Sequence, residues 1–191
     1  MKQIILASES PRRKKLLEQI GLDVKVVPSN IDEKLNPRLK PKTQAETLST
    51  QKARVVSQKY PDAIILAADT LVYINGDILG KPKNIDEGKR MIKKLQGKTH
   101  SVITGFTILH GKSKKILTDS SETKVTFRKL SDSQIKNYLK KENPLDKAGG
   151  YCLQGMGAVL VEKINGDFSN VVGLPLGKVI PALKKFGIEI L

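Results

Sequence analysis

The stretch "ASESPRRKK", residues 7–15, lies between the apolar run "IILA" at 4–7 and "LLEQIGL" at 16–22. A strand therefore hands over to a helix here. Ser10 reads as the N-cap, and Pro11 takes the first helical position, where its missing N–H costs nothing. The helix is expected to stop near Gly21. This register places Arg12, Arg13, Lys14 and Lys15 in the first turn, beside N–H groups and a macrodipole that are already positive. Each cation is unfavourable there by roughly 0.3–1 kcal/mol. A sequence that accepts this cost needs something to offset it.

Working outward, strand-like and helix-like stretches alternate at first and strands then cluster. "VKVVPS" (24–29) reads as a second strand before the Pro-rich loop "NPRLKPKT", and a helix follows from about Gln44 to Gln58. "AIILAADTLVYI" (63–74) reads as a buried strand, and Asn75-Gly76 is a hairpin turn. "NIDEGKRMIKKLQG" (84–97) has capping-box spacing between Asn84 and Glu87, as does Ser131 with Gln134 before the next helix. Two strands, "HSVITGFTILHG" and "ETKVTFRKL", lie between them, and a closing helix starts near Leu176. The order implies an α/β fold on a mixed sheet, one domain over 1–191, with no linker or repeat.

Two phosphate-binding patterns fail on inspection. "GDILGKP" has three residues between its glycines where the Walker loop has four, and Pro82 stands where Ser or Thr is required. "GMGAVL" lacks the third glycine of a dinucleotide fingerprint.

With 191 residues and 39% hydrophobic content, the chain can bury a real core. The lone Cys152 makes no internal disulfide, and the opening segment is too weakly apolar for a signal peptide. No run approaches a spanning helix, so a cytoplasmic protein without membrane contact is expected. The net charge of +15 invites a nucleic-acid reading. Lysine pairs on helices and turns account for much of it, and 4% aromatic content without Trp supplies no stacking platform, so no stable nucleic-acid partner is expected.

Asp69 and Thr70 interrupt the apolar strand, where an unpaired carboxylate would cost several kcal/mol. Asp69 is then a structural ion-pair partner, a residue at a strand end reaching solvent, a metal ligand or a general base. Lys52 lies in the apolar stripe of Ala45, Leu48, Val55 and Val56, either snorkelling or held inside. His100, with no second imidazole or thiol nearby, reads as structural. An anion bound by the N–H groups of Ser10 to Arg13 would turn the four cations of the first turn into its ligands, and a polyphosphate fits best. With Asp69 able to hold Mg²⁺, and Lys52 and Lys81 as further cations, the chemistry indicated is metal-assisted attack of water on a nucleotide phosphate.

The motifs "ILASESPRRKKLL", "AADTLV", "ILGKP", "HSVITG", "PLDKAGGYCLQG" and "NVVGLPL" resemble, in order and spacing, the Maf-like nucleoside triphosphate pyrophosphatases over nearly the whole chain. The resemblance implies an elongated α/β fold with two lobes around a cleft, related to inosine triphosphate pyrophosphatases and often dimeric. It also implies cleavage of a nucleoside triphosphate to the monophosphate and pyrophosphate with a divalent cation, Mg²⁺ or Mn²⁺. Carried over by position, Asp69 becomes the base that activates water, and Glu33 of "NIDE" its partner on the metal. Arg13, Lys52 and Lys81 bind phosphate, with Ser8 and Ser10 as the N-terminal cradle. Arg12, Thr70 and Gln154 match the subgroup acting on dTTP and UTP, whereas Trp, Gln and Glu would resemble the 7-methyl-GTP subgroup. The family's link with septum formation offers the alternative of a nucleotide-binding regulator, but such a protein has little need for Asp69 and Glu33. The segment "ENP" at 142–144 departs from the family, which often has Glu directly before the proline.

Overall fold

The computed structural model describes residues 3–190. β1 (Ile4–Leu6) leads into α1 (Pro11–Glu18), followed by the two-residue β2 (Lys25–Val26) and the long α2 (Pro41–Lys59). β3 (Ile64–Ile74) turns into β4 (Asp77–Leu79), then α3 (Ile85–Leu95), β5 (Thr99–His110), β6 (Lys115–Phe127) and α4 (Asp132–Lys141). Two 3-10 turns, Ala148–Gly150 and Gly155–Leu160, precede β7 (Val161–Asn165), α5 (Phe168–Val172) and α6 (Leu176–Lys184). The strands pair in the order β2-β1-β3-β5-β6-β7, with β4 on β3. Parallel pairs of β1 with β2 and β3, and antiparallel pairs of β3 with β4 and β6 with β7, make this a mixed α/β sheet.

The chain divides into two compact units, the first formed by residues 1–69, 104–121 and 173–191, the second by 70–103 and 122–172. In the first, β1 and β3 lie in register, Ile5 opposite Ile65, and both are buried. Continuous apolar residues suit a parallel pair covered on both faces. Ile5, Ala7, Ile65 and Ala67 pack with Ala53 and Val56 of α2. The small side chains let the helix approach closely. At Gly105 of β5 a Cβ would stand only 2.4 Å from the carbonyl carbon of Ala45, so α2 rests its backbone directly on this strand.

The second unit has the bulkier core, with Phe127, Ile92, Leu95, Val125 and Ile135 all almost fully buried. The β3–β4 hairpin turns through Asn75 (φ 50°) and Gly76 (φ 91°), the paired positive φ that Asn-Gly supplies.

Local signals were mostly realised, with informative shifts. α2 starts at Pro41, a turn's fraction earlier than Gln44, because Pro41 sits at the helix start just as Pro11 does in α1. The box at Ser131 and Gln134 is complete. At α3, Asn84 Oδ1 accepts from the Glu87 N–H at 2.8 Å, but Glu87 Oε2 accepts from the Lys83 N–H at 2.6 Å, so the returning bond falls one residue early.

Candidate active site

The loop at 7–10 and the first turn of α1 build the first part of the site, within the first unit. Ser10 takes the N-cap position with extended backbone, but its side chain caps nothing. Ser8 is the organising hydroxyl. Its Oγ accepts from the Ser10 N–H at 3.2 Å and from Arg13 Nη1 at 2.9 Å. Arg13 Nε donates to the Gly173 carbonyl at 2.8 Å. The guanidinium is thus fixed at both ends. Burial pushes its pKa down from the usual value, while the carboxylates of Asp69 and Glu33 and then the Arg12 charge act as smaller influences, the carboxylates raising it and Arg12 lowering it.

The expectation that all four cations ligate one anion needs correction. Arg13 is buried and Arg12 half-buried, but Lys14 and Lys15 are exposed. Lys14 pairs along the helix with Glu18 at 3.1 Å. A rotation of about 100° per residue cannot aim four consecutive side chains at one point.

α2 and β3 build the second part. Lys52 falls on the buried face of α2 with Ala45, Leu48 and Val56. It does not snorkel, being 5% exposed. Its Nζ donates to Asp69 Oδ1 at 2.5 Å and stands 2.8 Å from Glu33 Oε1. Asp69, 4% exposed, therefore has the ion-pair partner that its burial demands. The same ammonium also meets Glu33, which stands on a loop with its side chain 36% exposed, so the buried pair is linked to a carboxylate that reaches solvent.

Two features escaped sequence reasoning. The Glu33 loop is held by Gln44, whose Oε1 accepts from the Asn36 N–H at 2.8 Å while its Nε2 donates to the Lys34 carbonyl at 3.4 Å. No local pattern announces a glutamine that serves a preceding loop. The Gly173 carbonyl under Arg13 belongs to "NVVGLPL", and a backbone oxygen carries no residue-type signal.

The donor set bears on a divalent cation. Among the described residues no group of three or more His, Cys, Asp and Glu side chains could hold a metal. Asp69 and Glu33 nonetheless bring carboxylate oxygens to a common cation, the Lys52 ammonium. Mg²⁺ is characteristically held by one or two carboxylates together with substrate phosphates, so these two residues fit such an ion.

The second unit carries the remaining residues singled out above. Thr70 follows Asp69 on β3, Lys81 is exposed after β4, and Gln154 is half-buried at the start of the second 3-10 turn. His100 is buried and only half satisfied, since its Nδ1 has no hydrogen-bond partner among the described residues. Its Nε2 lies 2.6 Å from Tyr151 Oη, and the ring stands edge-on to Phe127, with centroids 5.0 Å apart. Burial lowers its pKa to about 4.

A "dTTP/UTP pyrophosphatase" of Caldicellulosiruptor saccharolyticus is 44% identical over 195 residues, covering 100% of this chain and 98% of the relative. A protein of the same name from Pyrococcus abyssi is 48% identical over 186 residues, covering 97% of each. The Staphylococcus aureus Ham1 protein is similar in fold alone, with a TM-score of 0.52 at 13% identity over 97% of each chain. The family model for Maf-like proteins matches residues 3–186, and with that span and these relatives the chain belongs to the Maf family.

Proposed function

We propose that this protein hydrolyses dTTP and UTP to the monophosphate and pyrophosphate, cleaving the anhydride between the α and β phosphates. The observation that carries the reading is the meeting of Asp69 and Glu33 on Lys52, with Arg13 close enough to feel both carboxylates. The names of the relatives supply the bases.

In this reading Arg13, fixed by Ser8 and Gly173, holds phosphate oxygens, assisted by the N–H groups that the Ser10 side chain leaves uncapped. Lys52 and Lys81 bind further phosphate charge. Asp69 takes the proton from the attacking water. Mg²⁺ or Mn²⁺, held by Asp69 and Glu33, would supply charge neutralisation at the phosphates. Arg12, Thr70 and Gln154 select the base. An amide both donates and accepts, and so matches a uracil or thymine edge, where an N–H stands beside carbonyl oxygens.

The test is a panel of nucleoside triphosphates with Mg²⁺ or Mn²⁺, scored separately for pyrophosphate and orthophosphate. Pyrophosphate from dTTP and UTP, abolished by excess chelator, is expected. Phosphorus NMR showing nucleoside diphosphate and orthophosphate would overturn the assigned bond, and activity indifferent to chelator would overturn the metal.

A further inference from the structure

Within the second unit, the segment that carries Gln154 is held by groups to which the chemistry above gives no role. Glu142 is the C-cap residue of α4, and its Oε1 accepts from the Met156 N–H at 3.3 Å. A carboxylate is misplaced at the negative end of a helix, so this position calls for a compensating partner. Lys147 provides one. It is 7% exposed, with Nζ 3.8 Å from Glu142 Oε2 and 2.7 Å from Asp146 Oδ1, and it also donates to the Asn143 carbonyl. The extra residue of "ENP" thus has a place: Asn143 Oδ1 accepts from the Leu145 N–H at 3.0 Å and closes the turn around this lysine.

On the other side, Cys152 Sγ donates to the Gln154 carbonyl at 3.1 Å. Gly155 bends the chain at φ +64°, and a Cβ there would lie 3.2 Å from Glu142 Oε1. The two backbone groups that follow the Gln154 side chain, its own carbonyl and the Met156 N–H, are therefore held by a thiol and a carboxylate.

We propose that Glu142, steadied by Lys147, is a positioning residue that fixes the Gln154–Met156 turn and with it the amide that reads the base. The proposal rests on the reading of Gln154 given above. Glu142 touches neither phosphate nor the reacting water in this assignment. Its removal should act on base recognition, mainly through KM, and leave kcat for a bound pyrimidine substrate largely intact.

The chain's single cysteine makes the turn directly observable, because any thiol reagent reports Cys152 alone. In the intact chain, Glu142→Ala is expected to speed thiol labelling about fivefold and to lower the UTP-over-GTP ratio of kcat/KM by a similar factor, the net size of one ordinary hydrogen bond. Glu142→Gln keeps an acceptor for the Met156 N–H and should restore most of both. In a Gln154→Ala background, Glu142→Ala should cause no further loss of selectivity. Met156→Pro deletes the same bond from the donor side, at a first-turn position that tolerates proline, and serves if Glu142→Ala does not fold. Unchanged labelling overturns the clamp. Faster labelling with selectivity intact, where Gln154→Ala loses it, overturns the positioning role. If Gln154→Ala itself leaves selectivity intact, the base reading fails and the proposal with it, an outcome recognised by labelling that still rises.

Discussion

The two units bury polar groups in opposite ways. In the first, Arg13, Lys52 and Asp69 are charged, buried and tied to one another or to Ser8 and Gly173, among alanines and short aliphatic chains. In the second, His100, Tyr138 and Tyr151 are buried in neutral form, since burial lowers the imidazole pKa and raises both phenols. A buried neutral hydrogen bond is a modest structural gain. A buried ion pair seldom stabilises more than apolar residues of equal volume, so its retention points to work other than folding. By that criterion the first unit is the place to test for the proposed phosphate chemistry, and a matching case in the second unit, buried Lys147 with Asp146, borders the turn that carries Gln154.

The most severe way to break this contrast is Asp69→Asn, which keeps the shape of β3 while removing the proposed base and one carboxylate of the proposed metal pair. The value of kcat should fall by roughly 10² to 10⁴, read as pyrophosphate release under saturating substrate. Turnover near the wild-type rate would reduce Asp69 to a structural partner.

Lys52→Met tests the same pair through stability. It strands the buried Asp69 carboxylate and should cost about 3–5 kcal/mol in urea unfolding, whereas Lys52→Met/Asp69→Leu should regain most of that loss and remain inactive. A double variant as unstable as the single one would mean that the charges serve the fold.

The second unit can be sharpened by pH. The His100 pKa is lowered to about 4 in the folded chain, below the ordinary value of 6.5. Between these values the unfolded chain binds a proton that the folded chain refuses. Stability from this group is therefore unaffected above pH 6.5 and declines as pH falls toward 4, by on the order of 3 kcal/mol in total. His100→Phe/Tyr151→Phe should lose that part of the slope and keep its activity at neutral pH. An unchanged slope in the double variant would clear His100 of the effect.

A smaller change, Gly105→Ala, drives a methyl into the backbone of α2 and should cost about 1–3 kcal/mol, with loss of activity beyond the loss of stability because α2 carries Lys52. Thermal melts alongside kcat measurements on the folded fraction separate the two. Smallest in energy is Gln154→Glu, which sets an anion against pyrimidine carbonyls. Here kcat/KM for UTP and dTTP should fall about tenfold, with guanine-type substrates losing less. Equal losses for all bases would make Gln154 a loop support.

Sequence alone determined the elements whose causes are local. Pro11 starts α1, Ser131 and Gln134 close a capping box, and Asn75-Gly76 turns the hairpin, because each involves groups a few residues apart whose geometry the residue types dictate. The anomaly of Asp69 in an apolar strand was equally legible, since burial follows from its neighbours along the chain. Which charges turn inward was decided only by the tertiary structure. Arg13 rather than Lys14 or Lys15 is buried because helix rotation selects one face, and its anchor comes from Gly173, 160 positions away. Lys52 meets Asp69 across 17 positions and Glu33 from a loop that Gln44 holds. Such partners are set by the packing of α2 on β3 and β5 and by the close approach at Gly105, and no local periodicity encodes them.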